Sequence, residues 1–221
     1  MPDSLWAGLC DRCIYQRRIE SAKGSTFSLC ERALEDPAVF PKYPRVPVLA
    51  CSGFVTLRAA AAADVPAIQA IYGHWVLTGV ASFEIDPPGI EEMRRRFDEI
   101  AARGLPYLVA VAANGEIAGY AYATLYRPRL AYRFTVEDSI YLHPRFAGQG
   151  IGKVMLEALV SETSKQGYKQ MIAVIGGGME NAGSVALHAR CGFEHAGVLK
   201  SVGFKFDRWL DTVLMQRSLG S

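Results

Sequence analysis

Long uninterrupted apolar runs are missing from this chain of 221 residues. A transmembrane helix needs about 18 or more such residues, and the closest stretch, residues 107–125, is broken by Asn114-Gly115-Glu116. The opening MPDSLWAGLCDRC has no basic segment leading into an apolar one, so no secretory leader is expected and the expected location is cytoplasmic. A surplus of one charge is also missing. Lys and Arg number 24 against 22 Asp and Glu, a formal net charge of +2, which gives no footprint for nucleic acid or an anionic membrane. Repeats and low-complexity tracts are absent. Cysteine is nearly absent from most of the chain: Cys10, Cys13, Cys30 and Cys51 cluster at the start, and only Cys191 lies beyond. A reducing compartment keeps such thiols free, so the cluster favours metal over disulfides.

What is present is an ordinary folded composition, 50% hydrophobic and 21% charged. Four prolines in residues 36–54, DPAVFPKYPRVPVLACSGF, fix local φ and oppose helix, which places a boundary at about 54. The expected organisation is a Cys-containing extension, 1–54, and a second domain, 55–221. In the second, 55–60 reads as a strand, and Asp64 can cap a helix whose apolar face is Ile68, Ile71, Tyr72 and Trp75. Residues 90–103 read as another helix ending at Gly104. Asn114-Gly115 between β-rich runs predicts a type I′ hairpin. Strands at 134–142, 171–175, 193–202 and 208–217, with helices at 150–166 and 181–190, complete a mixed α/β domain of about seven strands and four helices.

Cys10-x-x-Cys13 can occupy two corners of a tetrahedral Zn2+ site, with Cys30 and Cys51 as the other ligands. A second close-spaced pair is missing, and an iron–sulfur cluster, a redox pair or no metal are the alternatives. An extension of this size with few large apolar side chains would need such a staple to fold alone.

The segment SIYLHPRFAGQGIGKVMLEALV (139–160) is a strand, a glycine-rich turn and a helix. Gly148, Gly150 and Gly152 uncover backbone N–H groups where the helix N-terminus is positive, a cradle for pyrophosphate. It is neither the dinucleotide fingerprint nor a Walker loop. It resembles the GNAT superfamily of N-acetyltransferases, whose pattern Arg/Gln-x-x-Gly-x-Gly/Ala falls on Ala147, Gly148, Gln149, Gly150, Ile151 and Gly152. Ala147 departs from the usual long polar residue, and Arg145, which also fits the letters, is the substitute. Over roughly 55–219 the chain looks like the phosphinothricin and methionine-sulfone acetyltransferase branch. The matching stretches include ASFE (81–84), RLAYRFTVEDSIYL (129–142), NAGSVALHARCGF (181–193) and VGFKFDRWLD (202–211). Their order and spacing carry the likeness.

The resemblance implies a GNAT fold, a mixed, mostly antiparallel sheet flanked by helices, and acetyl-CoA as cosubstrate. Ile140, Tyr141 and Leu142 would present backbone to pantetheine, and Ala147–Lys153 would hold the pyrophosphate. Asn181, an N-cap candidate, and Ser184 would meet the pantetheine arm. An amine must lose a proton before attacking a thioester, and the resemblance assigns that to Glu137; strand alternation sends Asp138 to the other face. His188 stands where the branch has a catalytic His, and the Leu142 amide is the candidate for polarising the thioester carbonyl. Phe83 and Glu84 match acceptor-pocket positions, and Arg129 with Arg133 can hold a carboxylate. Cys191 is read as packing. The implied activity is acetylation of a small amino-acid-like amine of the phosphinothricin, methionine sulfone or sulfoximine type, by a homodimer. The rivals are an acetyltransferase for a polyamine, an aminoglycoside or a protein N-terminus, and a CoA-binding sensor with a metal-containing interaction module.

Overall fold

The computed structural model describes residues 6–51 and 53–220; the first five residues of the extension, Ser52 and Ser221 lie outside the described residues. The chain divides into two compact units. One comprises the residues up to Arg58 with Ala110–Glu116, the other Ala59–Val109 with the residues from Ile117 on.

In the first unit, strands β1 (Gln16–Glu20) and β2 (Thr26–Cys30) form an antiparallel hairpin, Gln16 opposite Cys30 and Glu20 opposite Thr26. Gly24 turns the chain at φ 79°, a left-handed conformation that costs glycine nothing. A modest core of Ala7, Tyr15, Ala33 and Phe40 is buried beneath it. The Arg32 guanidinium lies 4.5 Å from the centre of the Phe40 ring and 5.3 Å from that of Tyr15, so its stem covers apolar surface while its charge meets two π faces. The proline-rich stretch is irregular, as its fixed φ angles require.

Strands β3 (Val55–Ala59), β4 (Tyr107–Ala112), β5 (Ile117–Leu125), β6 (Thr135–Leu142), β7 (Gln170–Gly176), β8 (Glu194–Lys205) and β9 (Arg208–Ser218) form one seven-stranded sheet in the order β3-β4-β5-β6-β7-β9-β8. Helices α1 (Val65–Thr78), α2 (Ile90–Ala102), α3 (Ile151–Lys165) and α4 (Ala182–Arg190) accompany it. The pairs β5–β6, β7–β9 and β8–β9 are antiparallel, and β6–β7 is parallel. This is the mixed, mostly antiparallel α/β architecture expected from the sequence. Helix α1 buries Ile68, Ile71, Tyr72 and Val76, and α3 buries Met155, Leu156 and Leu159; each such side chain contributes about 1.5–3 kcal/mol.

Two local expectations are corrected. Among non-glycine described residues, positive φ occurs at Ser201, Phe206 and Asp207, so Asn114 is not left-handed and the β4–β5 turn is not type I′. Instead Gly115 N–H donates to Ala112 O and the ladder resumes from Ala112 N–H to Glu116 O, with Gly115 alone at φ 84°. This longer loop needs one left-handed residue rather than two. Asp64 lies just before α1, but its carboxylate accepts from the Ala61 N–H at 2.8 Å, closing the 3-10 turn Ala62–Asp64 rather than capping the helix.

Candidate active site

The ladder between β6 and β7 stops before the strands do. Its register runs from Thr135 opposite Gln170 to Asp138 opposite Ala173, while β6 continues to Leu142 and β7 to Gly176. Beyond Asp138 the two strands bound an opening lined by Ser139, Ile140, Tyr141, Val174 and Ile175, with Asn181, Ser184 and His188 from the α4 segment. The other edge of β6 pairs with β5, and Thr135 O and His143 N–H bond to Tyr126 N–H and Ala118 O. Odd-numbered residues therefore face β5. Alternation turns the N–H groups of Ile140 and Leu142 toward the opening. Of the three residues that the resemblance assigns to pantetheine, Ile140 and Leu142 face the opening, whereas the Tyr141 backbone pairs with Tyr120 of β5. The Leu142 carbonyl accepts from the Trp75 indole N–H at 2.7 Å, which fixes α1 to this edge.

At the far end of β6 the glycine-rich turn leads into α3. Gly148 and Gly150 have φ 73° and 77°, and Gly150 is the residue before the helix. The amides of Ile151 and Gly152 open the first turn, where N–H groups lack helical acceptors. A Cβ on Gly152 would meet the Leu187 side chain at 3.3 Å and Leu142 at 3.5 Å, so this glycine also allows α3 to lie close to α4 and β6. Ala147 is exposed at the entrance. The Gln149 amide donates to Arg145 O at 2.9 Å, and Lys153 pairs with Glu157 at 3.4 Å.

On the face of β6 that carries Glu137, Ser139 and Tyr141, Tyr120 and Tyr122 of β5 stack with Tyr107 and Tyr141. Tyr72 of α1 meets Tyr141 edge-on at 5.1 Å and shares a 2.8 Å hydrogen bond with Ser82. Half-buried Glu137 has its carboxyl pushed upward by burial first and by neighbouring Asp138 second, against the opposing pull of Arg127. A carboxylate moved upward is a stronger base than a solvated one.

The segment after α1 is held from β7 and β8. Lys205 is buried, and its ammonium donates to the carbonyls of Gly79 at 3.0 Å and Ser82 at 2.8 Å. Burial pulls its pKa down, opposed by Glu84. Phe83 lies over Gly203 and Gly176, and Glu84 pairs with Arg96 of α2 at 2.6 Å. Arg129 and Arg133 are exposed at either side of the 3-10 turn Leu130–Tyr132, where the Arg133 guanidinium sits 4.4 Å over Phe134.

His188 is 2% exposed, and both ring nitrogens are engaged: Nε2 with Asp138 Oδ2 at 3.0 Å, Nδ1 with the Ser184 carbonyl at 2.7 Å. Asp138 thus lies on the face opposite Glu137, as alternation requires. The partnership between Asp138 and His188 escaped sequence reasoning because 50 residues separate them. Trp75 and Arg96 were missed as site residues for the same reason: in sequence they are one position of an apolar stripe and one of a Glu-Arg helix surface. Asn181 immediately precedes α4, but its amide donates to Gly176 O at 3.3 Å and makes no cap bond, which corrects its expected capping role. Cys191 is buried, with its thiol pushed up by burial. Trp209 is exposed, edge-on to Phe204.

In the first unit, Cys10, Cys13, Cys30 and Cys51 line one small pocket together with Leu9, Tyr15, Leu29 and Phe40. Among the described residues, no three His, Cys, Asp or Glu side chains are grouped so as to hold a metal ion, which lends the expected Zn2+ site no support. Burial first, then the other three cysteines, push the Cys10 thiol up to about 11.

An open strand edge, uncovered amides at a helix N-terminus and a carboxyl with a raised pKa suit the handling of a phosphorylated thioester. That is the work of an acyltransferase. The model of the acetyltransferase (GNAT) family matches residues 75–193, and the chain belongs to that family. Phosphinothricin N-acetyltransferase of Alcaligenes faecalis is 54% identical over 166 residues, 75% of this chain and 83% of that protein. The L-methionine sulfoximine/L-methionine sulfone acetyltransferase of Pseudomonas paraeruginosa is 41% identical over 74% of this chain and 94% of its own length. The crystal structure of a GNAT phosphinothricin acetyltransferase from Sinorhizobium meliloti in complex with AcCoA superposes with a TM-score of 0.73 at 52% identity, covering 75% of this chain and 89% of that one.

Proposed function

We propose that this protein transfers the acetyl group of acetyl-CoA to the amine of a small amino-acid-like acceptor of the phosphinothricin, methionine sulfone or methionine sulfoximine type. The observation that carries the reading is the position of Glu137, a half-buried carboxyl with a raised pKa on the strand whose other edge opens toward β7. The names of the relatives support the acceptor class.

In this reading the turn Ala147–Lys153 holds the pyrophosphate, and the backbone of Ile140 and Leu142 holds pantetheine, assisted by Asn181 and Ser184, while the Tyr141 backbone is taken by Tyr120 of β5. The acceptor sits against Phe83 and Glu84, with Arg129 and Arg133 drawing its carboxylate. Glu137 takes a proton from the ammonium, directly or through water. The amine nitrogen then bonds to the thioester carbon, and the Leu142 amide steadies the oxyanion. Collapse of that intermediate breaks the carbon–sulfur bond, and the nitrogen gives its second proton, directly or through water, to the departing sulfur, leaving the acetamide and CoA thiol beside His188.

The protein acts as a cytoplasmic homodimer in this reading. Support for a second copy comes from β8, β9 and the turn between them, where Val202, Phe204, Phe206 and Trp209 leave apolar side chains exposed. The 1–54 extension is a separate module that takes no part in the chemistry.

The test is CoA-thiol release from acetyl-CoA against a panel of phosphinothricin, methionine sulfone, methionine sulfoximine, a polyamine and an aminoglycoside. Turnover is expected on the first three, and Glu137→Gln should lower kcat by about 10²–10⁴-fold. Acetyl-CoA binding without turnover on any acceptor would overturn the enzyme reading. Preference for the polyamine would overturn the acceptor class.

A further inference from the structure

His188 is enclosed by acceptors. Nε2 faces an oxygen of Asp138 and Nδ1 a backbone carbonyl, with the Ser184 hydroxyl a second, longer neighbour of Nδ1 at 3.4 Å, so with Asp138 ionised each of the two shorter hydrogen bonds requires hydrogen on the ring nitrogen. With a carboxylate at Asp138 both are satisfied together only by the imidazolium. The ring packs edge-on against Phe193 at 5.0 Å, and both side chains of the Asp138–His188 pair are almost wholly buried. The second oxygen of Asp138, Oδ1, is buried and finds no hydrogen-bond partner in the described chain. Both residues line the opening between β6 and β7. We propose that Asp138 and His188 work as one ion pair, with Asp138 the positioning residue that keeps His188 charged where the CoA sulfur leaves.

This rests on the acetyl-transfer reading above and changes one part of it. With both N–H groups committed, His188 acts on the departing thiolate by its charge and gives up no proton during the step. Oδ1 is left to accept from a donor entering the opening. Among the described residues, Asp138 is the one charged group that acts on the ring. Glu137 points to the other face of β6; β7 offers Ala173, Val174 and Ile175; Lys153 and Glu157 of α3 and Arg217 of β9 act on the Cys191 thiol. Glu194 and His195, which begin β8, are exposed. Burial pulls His188 down, but the hydrogen bond and charge of Asp138, with the Ser184 carbonyl, raise it above its ordinary value.

The experiment has two arms on the full chain. Nitrogen-15 NMR of the histidine rings, with His188 assigned by loss of its signal in His188→Asn, should show both ring nitrogens protonated above the ordinary His value of about 6.5. Asp138→Asn should convert that signal to a neutral ring at pH 7. In the thiol-release assay, Asp138→Asn should lower kcat at least tenfold at neutral pH and move the alkaline limb of its pH profile to lower pH. Asp138→Glu should restore the limb, and Asp138→Asn/His188→Asn should be no worse than His188→Asn alone. A neutral His188 in the unaltered protein would overturn the proposal. So would an Asp138→Asn variant with unchanged kcat and pH profile. If no acceptor is turned over, the acetyl-transfer reading fails while the NMR arm still decides the charge of the pair; if Asp138→Asn does not fold, the unaltered protein and Asp138→Glu decide it.

Discussion

The indole N–H of Trp75 bonds to the carbonyl of Leu142 at 2.7 Å, across 67 residues of sequence. It joins the last turn of α1 to the strand edge whose Ile140 and Leu142 amides face the opening, so a helix residue sets the position of a backbone group proposed to meet the thioester. Trp75→Phe keeps most of the packing and removes the donor. The loss should be about 1 kcal/mol of stability in urea titration, with a several-fold rise in KM for acetyl-CoA and little change in KM for the acceptor.

Gly203 has a different constraint, imposed from outside. Its backbone is extended, but a Cβ there would stand 2.2 Å from the Phe83 ring. Gly203→Ala should displace Phe83 and the segment held by Lys205, costing about 1–3 kcal/mol. The kinetic signature should be a raised KM for the acceptor with acetyl-CoA affinity retained, read by isothermal titration. Equal weakening of both ligands would count against an acceptor pocket at Phe83.

At Gly150 the constraint is the backbone itself, φ 77° immediately before α3. Gly150→Ala should cost about 1–2 kcal/mol from left-handed strain. If the cradle binds pyrophosphate, CoA affinity should fall more than that of a dephosphorylated pantetheine fragment, measured by competition. An equal fall for both would argue that the turn only shapes the helix.

Stability should depend on pH through His188. Its folded pKa lies above the unfolded one, so its contribution is complete below about pH 6.5 and is lost as pH rises through the raised folded value. Unfolding midpoints of the unaltered protein should therefore decline on the alkaline side of neutrality, and His188→Asn should flatten that decline. In the same titrations His188→Asn should be destabilised by about 3–5 kcal/mol below pH 6.5, because it leaves the buried Asp138 carboxylate unpaired.

Local chemistry made the element order and the cradle legible. Gly148-Gln149-Gly150-Ile151-Gly152 between an apolar strand and an amphipathic run announces a turn with exposed amides wherever it occurs. Alternation alone separated Glu137 from Asp138. Turn type at Asn114-Gly115 was misread because the loop length depends on where the β4–β5 ladder resumes, and Asn181 was misread because Gly176 O offers its amide a nearer partner than the helix end. The cysteine spacing allowed four ligands, but only the fold of the hairpin and the proline-rich segment around Tyr15 and Phe40 brings all four thiols to one pocket.

From sequence alone came the mixed α/β class, the glycine-rich helix entrance and the carboxylate placed on β6. Each is written in residues close along the chain, where φ restrictions and side-chain periodicity act directly. Tertiary structure decided that β6 and β7 separate after Asp138, that Trp75 caps Leu142, that Lys205 holds the segment of Phe83, and that Asp138 claims His188. These depend on side chains tens of residues apart arriving within about 3 Å, the range at which hydrogen bonds and buried charges take effect, and only packing sets that distance.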